Sequence, residues 1–131
     1  MNEEVQGELS LARETLREAE HLLAQRLPRG VGSRAYYAMF HAAAAMVLAE
    51  GEKYEKHGET IGAFGRLFVK RGRVEAKFNS YLKAGFKSRE VADYEPLMTI
   101  SLERANEMLQ EATEFVAMAE EFLKGAGGAI E

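Results

Sequence analysis

At 131 residues the chain suits one domain that buries about two-thirds of its unfolded surface in a single core. It has no cysteine, which excludes disulfides, thiolate nucleophiles and cysteine-ligated zinc, and the expected setting is a reducing cytoplasm. Its net charge of -4 argues against a general nucleic-acid coat protein, its first ten residues carry acids where a secretory signal is basic, and no apolar run approaches a membrane span.

Val5, Leu9, Ala12, Leu16, Ala19 and Leu23 recur at alternating steps of four and three, one apolar stripe on a long helix. Leu27-Pro28-Arg29-Gly30 is expected to end it. The next stretch, 32–50, reads GSRAYYAMFHAAAAMVLAE. Between Arg34 and Glu50 it carries no charge, and apolar residues stand at every helical angle, so it is predicted to be a helix enclosed by others, capped near Ser33 and ended by Gly51. A polar loop follows, GEKYEKHGE. A third helix is predicted over 59–71, with Ile61, Phe64 and Phe68 on one side and Gly72 as its stop. A short basic helix over 74–84 packs Phe78 and Leu82, and Pro96 suits the first turn of a last long helix. That helix shows two rows of seven-residue period, Ala105, Ala112 and Ala119 beside Met108, Phe115 and Phe122, with glutamates on its outer side. No segment alternates with period two. The prediction is all-α: an up-and-down bundle of four main helices plus a short one, one domain over 1–124 and a flexible tail over 125–131.

Two polar residues interrupt the central helix. Arg34 and His41 are seven apart, almost two turns, so both project from one face with Tyr37 between them. Histidine serves as acid or base near neutral pH, and arginine offers a fork of donors to a phosphate that gains charge in a transition state. Together they suit metal-free cleavage of RNA, by attack of a 2′-hydroxyl on the adjacent phosphorus. One histidine does not easily serve both ends of an in-line displacement, and a two-fold dimer would supply two of each residue to one cleft. Ala38, Ala42 and Ala45 would let another helix approach closely. The competing reading is structural: His41 as a satisfied core histidine, Arg34 paired with a carboxylate such as Asp93, and Tyr36, Tyr37 and Phe40 as core.

Residues 66–89 hold eight of the 17 basic residues against the single acid Glu75. Lys70, Arg71, Arg73 and Lys77, with Tyr37, are the candidate RNA- or nucleotide-binding residues. His57 has no spacing argument and reads as incidental. No glycine-rich phosphate loop, paired-histidine metal motif or calcium loop occurs, so no metal or cofactor is expected.

SRAYYAMFHAA, then KHGE, FVKRG and SREVADYEP before a long helix, resembles the short stand-alone prokaryotic branch of the HEPN family, from about residue 11 to 123. The resemblance implies a dimerising helical bundle and, in active members, a metal-independent ribonuclease with an Arg-spacer-His motif, here Arg34 and His41. It also implies a frequent partner, a minimal nucleotidyltransferase antitoxin. Six residues separate Arg34 from His41 where the commonest motif has four, and Ala35 stands where a polar residue is usual. Ala43 stands where some toxin members carry the tyrosine that the partner nucleotidylates. The alternative is a non-catalytic module that binds a nucleotide or the nucleotidyltransferase.

Overall fold

In a computed structural model of the chain the described residues are 2–94 and 99–130, with side chains described for 2–90 and 99–125. Five helices, and among the described residues no strand, form an all-α bundle. They are α1 (Glu3–Ala24), α2 (Pro28–Ala49), α3 (His57–Phe64), α4 (Ala76–Tyr94) and α5 (Leu102–Ile130).

Asn2 caps α1, its side chain accepting from the Val5 amide at 2.9 Å, and Glu3 and Glu4 face the positive end of the helix dipole. The chain then reverses at Arg26, which adopts a positive φ of 60°. Pro28 opens α2 instead of standing in a linker, because proline at the first helical turn forfeits no helical hydrogen bond. Ser33, expected as the cap, therefore lies inside the helix, and Leu27 caps it without a side-chain bond.

α2 is the centre of the bundle. Val31, Ala35, Tyr36, Ala38, Ala42, Ala43, Ala45 and Met46 are all fully buried. The small residues Ala38, Ala42 and Ala45 thus serve packing within the chain, and a close approach through them is already taken by its own helices. α1 runs antiparallel to α2, with Glu18 facing Arg34 and Glu8 facing His41. α5 runs parallel to α2: Ala105 packs near Val31, and Phe122 lies on Phe68 beyond the far end of α2.

Past Gly51, at φ 85°, the helix predicted over 59–71 divides into α3 and a π-helical turn, Gly65–Val69. The wider turn keeps both Phe64 and Phe68 buried, 5.5 Å apart. Gly72, at φ 70°, ends this segment.

α4 continues well beyond the predicted 74–84. Gly85, just past the predicted end, is a point of close approach: a Cβ there would lie 3.1 Å from Met39 Cε and 3.2 Å from Tyr36 Cδ1. Pro96 lies outside the described residues. Ser101 precedes α5, its hydroxyl accepting from the Arg104 amide at 3.0 Å. The helix runs to Ile130, through most of the stretch expected as a tail.

Candidate functional site

Most of α2 is enclosed, and its open face is one stripe. Ser33, Tyr37, Phe40, His41, Ala44 and Leu48 are half-buried along it, and Arg34 is exposed beside them. This spacing of three and four is what one helical face requires.

Arg34 reaches back to α1, its Nε 3.3 Å from Glu18 Oε1, with the guanidinium side chain 46% exposed. The acid that pairs with it is Glu18; the side chain of Asp93 lies outside the described residues. His41 is more enclosed, 20% exposed, with Nδ1 2.8 Å from Glu8 Oε2. An ionised carboxylate only accepts hydrogen bonds, so Nδ1 carries the proton. In the neutral ring Nε2 then keeps a lone pair and can take a proton.

A second histidine enters from α3. His57, the first residue of that helix, stacks on Phe40 at 3.8 Å and meets the edge of Tyr37 at 5.9 Å. His41 lies 5.6 Å from the same Phe40 ring, so the two imidazole centres are less than about 10 Å apart. His57 Nδ1 is 2.8 Å from the hydroxyl of Tyr36, whose side chain is completely buried. Burial pushes the Tyr36 phenol far above its ordinary range, against the opposing charge of Arg89, and it stays protonated. A buried phenol without an acceptor would cost about 1–3 kcal/mol, so it donates to Nδ1. Burial first, and then the positive charges of Arg89 and His41, hold His57 below the usual histidine value. The neutral ring, with Nδ1 accepting, carries its proton on Nε2. Opposite partners therefore fix the two histidines in opposite tautomers.

Arg89 of α4 completes the cluster, its guanidinium 4.9 Å from the centre of the Tyr37 ring.

Of the sequence-derived candidates, Arg34, Tyr37 and His41 share the open face of α2. The basic group does not join them. Arg73 lies at the C-terminal end of α2, its Nη1 2.6 Å from Glu50 and its guanidinium 5.1 Å from both Phe68 and Phe122. Glu50 is about 24 Å along the axis from Arg34. Lys77 is held by Glu114 at 2.6 Å and lies over Phe78. Lys70 and Arg71 are exposed in the adjoining turn. Among the described residues no three His, Asp or Glu side chains converge in a way that could hold a metal ion.

Glu8, Glu18 and His57 escaped sequence reasoning as site residues because each meets α2 through folding, and Tyr36, read as core, is buried in α2 with only its hydroxyl turned to His57. The sequence placed His57 in a polar loop, whereas it is the first residue of α3.

Residues 6–122 match the HEPN domain. The chain belongs to the HEPN domain family. A UPF0332 protein of Thermotoga maritima is 31% identical over 113 residues, 86% of each chain. A protein of Methanocaldococcus jannaschii, provisionally named a toxin, is 33% identical over 124 residues, 95% of this chain and 92% of its own. A second protein of that organism, with the same provisional name, is 24% identical over 120 residues, 92% and 82% of the two chains. Among the described residues of this HEPN protein no helix is long and apolar enough to cross a membrane.

Proposed function

We propose that this HEPN protein is a toxin-type, metal-independent endoribonuclease that acts as a homodimer, with Arg34 and His41 as its catalytic residues. The observation that carries the reading is the Glu8–His41 contact. It fixes the imidazole with Nδ1 protonated and leaves Nε2, on the open face of α2, as the proton-transferring atom. The relatives provisionally named toxins support the same role.

In the reaction Nε2 of one His41 takes the 2′-hydroxyl proton while O2′ bonds to phosphorus. The P–O5′ bond breaks, and an imidazolium His41 from the second copy gives its proton to O5′. The products are a 2′,3′-cyclic phosphate and a 5′-hydroxyl. Arg34 exchanges part of its contact with Glu18 for the non-bridging oxygens, whose charge grows in the transition state. The half-buried stripe of Tyr37, Phe40, Ala44 and Leu48 is the surface on which the second copy would bring its own pair near.

A second reading is favoured by the same two contacts. Glu18 and Glu8 already engage Arg34 and His41, as a pair with only a packing role would be engaged. In that reading the chain is a non-catalytic module that binds a nucleotide or a minimal nucleotidyltransferase.

Incubating a mixed-sequence RNA with the protein in excess EDTA, beside Arg34→Ala and His41→Ala, separates the two. Fragments ending in 2′,3′-cyclic phosphate, lost in both variants, support the ribonuclease. Intact RNA, or equal cleavage by the variants, rejects it.

A further inference from the structure

The proposed mechanism uses His41 and Arg34 and leaves His57 without a task. Its surroundings give it one. The ring is clamped between Phe40 and the edge of Tyr37, and Nδ1 is committed to a phenol that burial keeps from ionising. Nε2 points away from that phenol, and the residue is half-exposed at one side of a groove of about 140 Å³ that Glu8, Phe40 and Lys53 also line. Of the three acids that line this groove, Glu8 is turned to His41 and Glu52 to Arg66, and Glu55 is exposed to solvent.

Resting on the ribonuclease reading, we propose that His57 is a substrate-binding residue of the same site, its Nε2–H donating to a non-bridging oxygen of an RNA phosphate held beside His41, with Tyr36 as the positioning residue. The proton stays on His57 throughout. Neutral, the ring has Nε2–H because Tyr36 donates to Nδ1; protonated, it has hydrogens on both nitrogens. Nε2 is a donor in either state, which suits an anion acceptor and not the work of a base. The charges that favour the neutral ring, Arg89 from α4 and His41 from α2, also draw a phosphate towards it.

The test uses the full chain and a 2′-O-methyl RNA oligonucleotide, which has no hydroxyl to attack and so reports binding apart from cleavage. Two-bond ¹H–¹⁵N spectra should show His57 as the Nε2–H form and His41 as the Nδ1–H form, and Tyr36→Phe should remove the preference at His57 alone. The oligonucleotide should shift the His57 Nε2 resonance. His57→Ala and His57→Asn should weaken binding at least fivefold, and His57→Gln, whose amide nitrogen reaches the Nε2 position, should stay within twofold of the wild type. An unmoved Nε2 resonance, wild-type binding by His57→Ala, or no binding by the wild type overturns the inference, and the resonance decides even if His57→Ala does not fold. Binding that depends on His57 without any RNA cleavage upholds it while removing the ribonuclease reading. Cleavage that needs His41 but ignores His57 does the reverse.

Discussion

Glu8 of the first helix holds Nδ1 of His41 at 2.8 Å, across an interface that the Glu18–Arg34 ion pair also spans. The two acids stand on one antiparallel neighbour at the spacing that reaches both residues of the α2 pair. Glu8 acts as the positioning residue for His41. Glu8→Gln offers an amide in place of the carboxylate and weakens control of the imidazole tautomer. RNA cleavage should fall by about tenfold or more, within the range that acid–base catalysis contributes, and the ¹⁵N spectrum of His41 should lose its Nδ1–H character. Cleavage unchanged in rate and pH profile would show that the contact serves packing alone.

Arg34 should be separable from stability. Its ion pair with Glu18 is about half exposed on both sides, and such pairs contribute about 0.2–1 kcal/mol. Arg34→Ala should therefore move the urea midpoint little, while cleavage falls by about a hundredfold if the guanidinium steadies the phosphate. Arg34→Lys keeps charge and loses the fork, and should recover only a small part of that loss. Chemical denaturation beside a cleavage time course measures both.

The helices were legible because each carries its own period: the stripe from Val5 to Leu23 and the paired rows from Ala105 to Phe122 need no partner to be seen. Their ends were less so. Pro28 and Gly85 are punctuation in a sequence, yet the fold uses one as the first turn of α2 and the other as a place for Tyr36 to lie against α4. The site divides in the same way. Arg34, Tyr37 and His41 share one helix, so spacing revealed them. Glu8, Glu18 and His57 reach α2 from other elements. The basic run could not be divided from sequence, because a charge's sequence neighbours do not disclose its partners: Arg73 and Lys77 are occupied by Glu50 and Glu114.

That occupancy separates two kinds of basic residue. Lys70 and Arg71 are exposed in the turn before α4, whereas Arg73 joins an ion pair to contacts with Phe68 and Phe122. If Lys70 and Arg71 meet RNA phosphates, replacing both by Ala should flatten the slope of log K against log salt by about 1.4, near 0.7 for each single-strand contact. Arg73→Ala should instead cost about 1 kcal/mol of stability. Anisotropy titrations at several salt concentrations and thermal melts distinguish these; an unchanged slope would place Lys70 and Arg71 outside the RNA path.

Gly85→Ala sets helix propensity against packing. Alanine favours a helix interior over glycine by about 1 kcal/mol, but its Cβ would press on Met39 and on Tyr36. The methionine methyl can swing aside. The fully buried Tyr36 ring, bonded to His57, cannot do so cheaply, and such overpacking costs about 1–3 kcal/mol. The variant should melt a few degrees lower and show a displaced His57 resonance. A higher melting temperature with the spectrum intact would mean that α4 yields and the contact carries no strain.

Acid should weaken this fold partly through His57. Burial, with Arg89 and His41 nearby, holds its folded value below the ordinary 6.5. As pH falls below about 6.5 the unfolded chain binds this proton first, so it carries more protons than the folded one until the lower, folded value is passed. The contribution of His57 to stability is therefore complete above the unfolded value and is lost as pH drops through that window. His57→Gln removes the titrating group, so its urea midpoint should fall less steeply than the wild type's between about pH 7 and pH 5, even if the variant starts lower. Parallel slopes would assign the acid sensitivity to other groups and would show that His57 titrates alike in the folded and unfolded chain.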